Sequence, residues 1–521
     1  MQKKGKLLSM LFLGLCMCML MAMPVQAQNV KQIQVKLNKK SDVGRTIQEA
    51  LDTALEDQSG KTAYEITLPK GTYKLNALLK VYSYTTLKMD GCTLVRGEDK
   101  SMLRIGQEDK KYKGYNGQHD ITIEGGTWDG NGKTTKVDIS MIRMGHGKNI
   151  TFKNVTFQNV YMTHHVELAG CSNVTFTGCT FKDFYSKGNK SNSGNNEALQ
   201  FDVLHNAQHF PKYPGFDDTP CSNITVTGCT FNNLQRGLGT HSAVAGSYFA
   251  NMVFTNNTFT NINGYAIIAT NFQNATISGN KISKCGAGIL FRSMVQGYNN
   301  FYTPLKGKKV KIVNDAKSVI SDNKISVSDY GYKTTAYGIS LYGEKLKSKK
   351  KDAPKGDYTL KGVKVQNNTI TMNNKGYGIW LQKADKCNVS GNNVTMNIKA
   401  SVSGRGNADP IRLVSSKKNT IEKNTLNQKK KNKATKEACG IVLTTGSQAT
   451  IKSNKINDSC KDGIFVTNKS KATITGNTIK KTGRHGINVC FNSNVTIKKN
   501  KISKFKNSKT SKYAGGKIKG K

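Results

Sequence analysis

Gly440-Ile-Val-Leu-Thr-Thr-Gly-Ser-Gln-Ala-Thr-Ile-Lys-Ser-Asn-Lys-Ile456 is answered 23 residues later by Gly463-Ile-Phe-Val-Thr-Asn-Lys-Ser-Lys-Ala-Thr-Ile-Thr-Gly-Asn-Thr-Ile479. Each copy is an alternating apolar run, a break, and then two short strands that begin near Asn. The same phrase places Ile289, Ile339, Ile379, Ile411, Ile441, Ile464 and Ile487 at one register. Degenerate earlier copies place Ile142, Val166, Leu199, Leu238 and Ile267 there, with spacings as short as 22 to 24 residues. A period of that size with two or three strands per repeat describes a coil of sheet rather than a globular domain. The expected fold is all-β: a right-handed parallel β-helix of about 12–14 rungs, since one repeat stacks on the next.

Composition agrees. Thr, Asn, Val, Ile and Gly dominate, and only 8 of 521 residues are Pro, so strands are rarely interrupted. One convincing amphipathic helix is expected over 42–58, with Ile47, Leu51, Ala54 and Leu55 on one face and Ser41 or Asp42 as its cap. Its job is to cover the first rung, whose core and strand edges would otherwise meet water. Residues 1–27 read as a secretory signal: Lys3, Lys4 and Lys6, an apolar stretch from Leu7 to Leu20, and Val25-Gln26-Ala27 before cleavage. The remaining divisions are 28–60 as N-terminal segment and capping helix, 61–505 as β-helix and 506–521 as a basic tail. No later segment is apolar enough to span a membrane.

The net charge is +46, and +43 once the leader's three lysines are removed. Such an excess either solvates a surface of turns or draws the chain to a polyanion. The lysines are dispersed and no nucleic-acid-binding motif occurs, so nucleic acid is not expected. An acidic polysaccharide or an anionic cell-wall polymer remains. A secreted monomer, associated electrostatically with the wall, is expected. Cys171 and Cys179 match Cys221 and Cys229 one rung on; stacked rungs lie about 4.8 Å apart, which admits either disulfides or a ladder of free thiols.

The helix, Leu68-Pro-Lys-Gly-Thr-Tyr-Lys-Leu75 and Ile121-Thr-Ile-Glu-Gly-Gly-Thr-Trp-Asp-Gly-Asn-Gly132 resemble the first rungs of the pectate-lyase-like right-handed parallel β-helix superfamily. The last phrase is similar to that of secreted polygalacturonase-type glycoside hydrolases. The resemblance spans roughly residues 42–505 and implies a glycan-cleaving groove with acids, a His and a basic residue on successive rungs. It also implies departures: the family's Asn-Thr-Asp stands here as Val166-Glu167-Leu168, its Gly-His-Gly as Gly239-Thr240-His241, and its Arg-x-Lys as Arg292-Ser293-Met294. The literal Gly145-His146-Gly147 falls two rungs early and reads as a turn.

Aligned on the inward apolar position, the repeats yield two outward columns. Arg143, Glu167, Gln200, Trp380 and Arg412 fall in the first, and Gly145, Ala169, Asp202, His241, Arg292, Tyr342 and Gln382 in the second. Glu167 and Asp202 are one rung and two residues apart, which places their Cα atoms roughly 8 Å from each other. That separation suits an inverting glycosidase. Asp202 is expected as general acid and Glu167 as base, with Asp217 or Asp218 on the following loop as the alternative second carboxylate. His241 is expected to bond to Asp202 and tune it. Arg292, Gln200, Tyr342, Trp380, Gln382 and Arg412 are expected along the substrate path, Arg292 as a bidentate clamp on a uronate carboxylate. No His/Cys/Asp group has transition-metal spacing, so no cofactor is expected, and Ca²⁺ at Asp217-Asp218 has weak support. Two rival readings persist: a polysaccharide lyase with His241 or Tyr342 as base beside Arg292, and a non-catalytic glycan- or wall-binding solenoid.

Overall fold

A computed structural model describes residues 29–520, apart from 39–41, 187–194, 209, 212, 294–300, 308–310, 329–334, 347–354, 400–406, 429–431 and 433. The signal segment, Ser41 and the middles of the loops at 187–194, 294–300 and 347–354 lie outside the described residues. Two long parallel sheets of 19 and 28 strands wrap one core. The larger sheet is two ladders joined through the long strands Thr258–Thr270 and Lys281–Arg292, which turn the corner without a break. The coil therefore has three flat faces.

The inward apolar residues stack as the repeat demands. One ladder carries Leu103, Ile142, Val166, Leu199, Leu238, Ile267 and Ile289 in register, and continues through Ile339, Ile379, Ile411, Ile441, Ile464 and Ile487. On a second face Phe157, Phe181, Phe231 and Phe259 stack ring on ring at 4.9, 4.8 and 4.7 Å. The alternation thus does two jobs at once: the inward half builds an apolar column, and the outward half is free to vary.

The N-terminal helix runs from Val43 to Glu56, and Asp42 caps it by accepting the Arg45 N–H at 3.1 Å. Ile47, Leu51 and Ala54 are fully buried on the first rung, while Leu55 is only half-buried. At the other end the coil runs past residue 505. Ser508–Lys512 pairs with His485–Val489, and Lys517–Lys519 pairs with Asn494–Thr496, so the basic tail forms a further turn of sheet.

Two asparagine ladders hold the corners. Asn149, Asn173, Asn223 and Asn274 adopt left-handed backbone with φ of 54, 53, 52 and 51°. Asn173 donates to Asn149 at 3.1 Å, Asn251 to Asn223 at 2.7 Å and Asn274 to Asn251 at 2.5 Å. Asn tolerates that backbone and offers both a donor and an acceptor along the stack. The second ladder is buried: Asn257, Asn280, Asn323, Asn368, Asn392, Asn424, Asn454 and Asn477 each pass hydrogen bonds to the next. Asn368 accepts from the backbone N–H of Asn323 at 3.0 Å and donates to the Ile320 carbonyl at 2.9 Å. Asn368→Ala orphans both groups, each worth about 1–3 kcal/mol when buried, and is expected to cost about 3 kcal/mol in chemical denaturation. A loss under about 1 kcal/mol would show that the ladder is dispensable there.

The cysteines stack as free thiols. Cys171, Cys179, Cys221 and Cys229 are buried and unbonded to one another; the Cys221 thiol donates to the Leu168 carbonyl at 3.4 Å, and the Cys229 thiol to that of Phe176 at 3.5 Å.

Candidate active site

Polar side chains on the outward face of a β-helix normally meet water. On the ladder through Arg143, Glu167 and Gln200 they do not: Glu167 is 4 %, Gln200 0 % and Asp202 5 % exposed. Beside them the segment from Leu204 to Pro220 packs on the second outward column. The second outward column offers Gly145 and then Ala169, side chains small enough for the loop to lie flat upon them. A Cβ at Gly145 would stand 2.7 Å from Tyr213 Cδ1. Leu204, Phe210 and Tyr213 bury against Ala169, and the Tyr213 hydroxyl donates to the Arg143 carbonyl at 2.7 Å.

Asp217 and Asp218 are consumed by this loop. Asp217 accepts from the backbone of Gly114 at 2.7 Å and of Thr219 at 3.0 Å. Asp218 contacts His205 Nδ1 at 2.6 Å and accepts the Leu305 N–H at 2.7 Å, tying two loops together. Neither reaches over the groove, because loop backbone needs both carboxylates as acceptors. His146 is likewise a staple, with Nδ1 on the Gly114 carbonyl at 2.7 Å and Nε2 on that of Gly215 at 3.2 Å.

The carboxylates that remain sit in contrasting surroundings. Burial pushes Asp202 up; the Glu167 charge adds to that, while the Ser242 hydrogen bond and His241 only partly offset it, and the net shift is upward. Its Oδ1 accepts both the Val203 N–H and the Ser242 hydroxyl at 2.7 Å, whereas Oδ2 has only Gln200 Nε2 at 3.5 Å. Burial also acts to raise Glu167, but Arg143, His164 and Ser140 outweigh it and hold the group below the usual range. Arg143 Nε and the Ser140 hydroxyl both donate to Glu167 Oε2 at 2.7 Å.

His241 does not bond to Asp202. The strand pairing ends at Gln200–Gly239, where Gly239 takes a φ of 138°, and the chain leaves the ladder before His241 can stack. Ser242 takes the place beside Asp202. The ring of His241 lies instead against Glu197, Nδ1 to Oε2 2.8 Å. Glu197 has no side-chain exposure, and its other oxygen accepts from Arg236 at 2.9 Å. Burial favours the neutral form of Glu197, yet His241, Arg236 and His164 together drive its pKa far down. His164 contacts the Glu197 carbonyl through Nδ1 at 2.6 Å and stacks on His241 with ring centroids 5.9 Å apart. Burial lowers the pKa of His164.

Glu197 was not legible from the columns. It precedes the inward Leu199 and stands at the corner where the loop re-enters the sheet, so alignment on the residues after the inward position passes over it. The one sequence signal is Arg236, its register partner on the next rung. The structure also gathers three residues that their sequence spacing keeps apart. One ligand-capable atom each from His164, Glu197 and His241 lies within 4.8 Å of the others. A metal ion there would compete with Arg236 and His241 for the carboxylate, which already accepts from the first at 2.9 Å and contacts the second at 2.8 Å.

The remaining expected site residues lie apart from this cluster. Arg292 is 4 % exposed, donates from Nε to Thr270 at 2.9 Å and lies over the Phe301 ring at 5.3 Å. It is thereby packed beneath the 301–305 segment, not presented to an open groove. Tyr342 accepts from Gln382 at 3.0 Å. Trp380 joins Tyr337 and Tyr377 in an aromatic cluster, and Arg412 pairs with buried Asp409 at 2.7 Å. Trp380 is six rungs from Glu167 along the ladder, about 29 Å. These residues form a separate patch further along the coil.

Three stretches of the chain, 115–261, 242–425 and 356–518, match the family described as right handed beta helix region, and the chain belongs to that family. It is 25% identical over 322 residues to plasmin and fibronectin-binding protein A of Streptococcus pneumoniae, covering 55% of this chain and 44% of that protein. The chain thus spans less than half of that relative's length. The fold is shared with the crystal structure of PfbA, a surface adhesin of S. pneumoniae, at a TM-score of 0.58 and 19% identity over 84% of this chain and 93% of that one. It is shared too with the tailspike of E. coli bacteriophage HK620 in complex with pentasaccharide, at a TM-score of 0.56 and 14% identity over 91% and 78%. Among the described residues, no helix is long and apolar enough to cross a membrane.

Proposed function

We propose that this protein is an extracellular or cell-surface polysaccharide-cleaving enzyme, a glycoside hydrolase whose proton donor is Asp202. The observation that carries the reading is the pair of buried carboxyls, Asp202 and Glu167, displaced in opposite directions on one outward face. A structural ion pair needs only the lowered group; a carboxyl kept neutral beside a carboxylate is what acid catalysis at a glycosidic oxygen requires. A proton on Asp202 has its place at Oδ2, since both strong donors occupy Oδ1. Burial first and the Glu167 charge after it favour the protonated form of Asp202, and Glu167 Oε2 is itself spent on Arg143 and Ser140. The base is His241: its Nδ1 is fixed by Glu197, which leaves Nε2 to accept a proton from water.

The test is incubation of the purified chain with acidic and neutral polysaccharides, following reducing ends and ultraviolet absorbance together. New reducing ends without absorbance support hydrolysis. An absorbing, unsaturated product would overturn the hydrolase in favour of a lyase in which His241 removes a carbon-bound proton. A second reading, adhesion without turnover, is favoured by the 25% identity to a plasmin- and fibronectin-binding protein. It requires binding with no product from any polysaccharide.

A further inference from the structure

The first outward column does not begin at Arg143. Its register runs back through Arg104 to Lys80, so Lys80, Arg104 and Arg143 stack on three successive rungs and lead directly to Glu167. They line the floor of a cavity of about 610 Å³, walled on one side by Pro211 and Tyr213 from the covering loop. Three acids also line it. Asp99 and Asp138 are exposed at the rim, and the Glu108 carboxylate is 3.6 Å from the Arg104 guanidinium, too long for a hydrogen bond.

Arg104 is the unusual member. It is 3 % exposed, its guanidinium lies 4.1 Å from the centre of the Tyr213 ring, and its Nε has no hydrogen-bond partner. A guanidinium is seldom buried without a well-placed carboxylate or phosphate to receive its fork. Here the protein supplies a ring face beneath it and an ion pair to Glu108 at 3.6 Å, and leaves Nε without a hydrogen bond. A buried donor without a partner points to a ligand that completes it.

We infer that this cavity is an anionic-sugar subsite: Arg104, flanked by Lys80 and Arg143, holds the carboxylate or sulfate of a glycan whose ring packs on Pro211. The inference rests on the reading of the neighbouring Asp202 cluster as a glycan site. It places the anionic group on the N-terminal side of that cluster, the side opposite Arg292. A carboxylate would engage the guanidinium in two parallel hydrogen bonds, and a sulfate ester offers the same charge with a third acceptor. One rung spans about 4.8 Å, so Lys80 and Arg143 stand about 10 Å apart, wide enough to contact anionic groups on adjacent sugars.

The test uses the full chain carrying Asp202→Asn, so that ligand is not consumed. Calorimetry would compare an oligogalacturonate, a sulfated oligosaccharide and an uncharged oligosaccharide of equal length at two salt concentrations. The anionic ligands are expected to bind at least about tenfold more tightly than the uncharged one, with the advantage shrinking as salt rises. Arg104→Gln is expected to erase about tenfold of affinity for the anionic ligand alone, and Lys80→Gln about threefold. The preferred anion, carboxylate or sulfate, identifies the glycan class. Equal affinity for charged and uncharged ligands, no binding of either anion, or unchanged affinity in both variants would overturn the subsite. Should Arg104→Gln fail to fold, the half-buried Lys80 decides alone. A wild-type chain that binds anionic ligands through Arg104 but makes no product sinks the proposed hydrolase and leaves the subsite standing.

Discussion

Asp202→Asn is expected to lower polysaccharide turnover by about a hundredfold to ten-thousandfold, the range attributable to one positioned proton donor. Oligosaccharide affinity should change by less than about threefold, because the amide keeps the side chain's shape and Oδ1 can still accept from Ser242 and Val203. The donor's pKa is raised, with burial the first cause and Glu167 adding to it. Its active, protonated form is therefore lost as pH rises through that elevated value, and kcat/KM must fall on that limb. Asparagine has no proton to lose, so the residual activity of the variant should lack the limb. Variant activity within about threefold of wild type would remove Asp202 from the mechanism.

Glu197→Gln should destabilise the fold by about 3–5 kcal/mol at neutral pH, the cost of leaving one partner of a buried ion pair uncompensated. Arg236 and His241 would lose the carboxylate charge and compete for the amide's single oxygen in a place with almost no water. The pH dependence has a definite sign. The folded-state pKa of Glu197 is depressed: burial opposes ionisation, but His241, Arg236 and His164 prevail. Such a group contributes stability above its unfolded pKa of about 4.3 and loses it as pH falls towards the folded value. The gap between wild type and Glu197→Gln should thus be widest near neutrality and narrow progressively as pH falls below about 4. Denaturation midpoints at pH 7 and at about pH 2 measure it, and a gap that stays constant would mean the pair contributes no net ionisation energy. Activity should also fall in the variant under conditions where it remains folded, since His241 would face a neutral amide whose one oxygen Arg236 also seeks.

Much of the fold was visible in the chain because a solenoid is written in one repeated phrase. The inward position read at Ile142, Val166, Leu199 and onward to Ile487 is the ladder found, and the capping helix begins at Asp42 as its apolar face implied. The coil continues through Lys519, since its last strands are lysine-rich and lack the apolar signature that marked the others.

The site was legible only in part. Glu167, Gln200 and Asp202 fall where the columns put them, because strand register is fixed by period and side-chain alternation. His241 left its column, while Arg292 kept its place in register with Thr270 and Tyr342 but lies covered. His241 follows a glycine at which the ladder stops, and Arg292 is covered by a segment arriving from residues 301–305. Asp217 and Asp218, promising as loop acids, are backbone acceptors within the loop.

The sequence alone therefore determined the coil and most of the residues that share a column, since these follow from local alternation repeated every rung. Only the tertiary structure decided that the 204–220 loop lies over Gly145 and Ala169, that Asp202 and Glu167 are buried in surroundings that shift them in opposite directions, and that Glu197 rather than Asp202 holds His241. Loop placement and desolvation depend on contacts between segments far apart in the chain, and no periodicity encodes them.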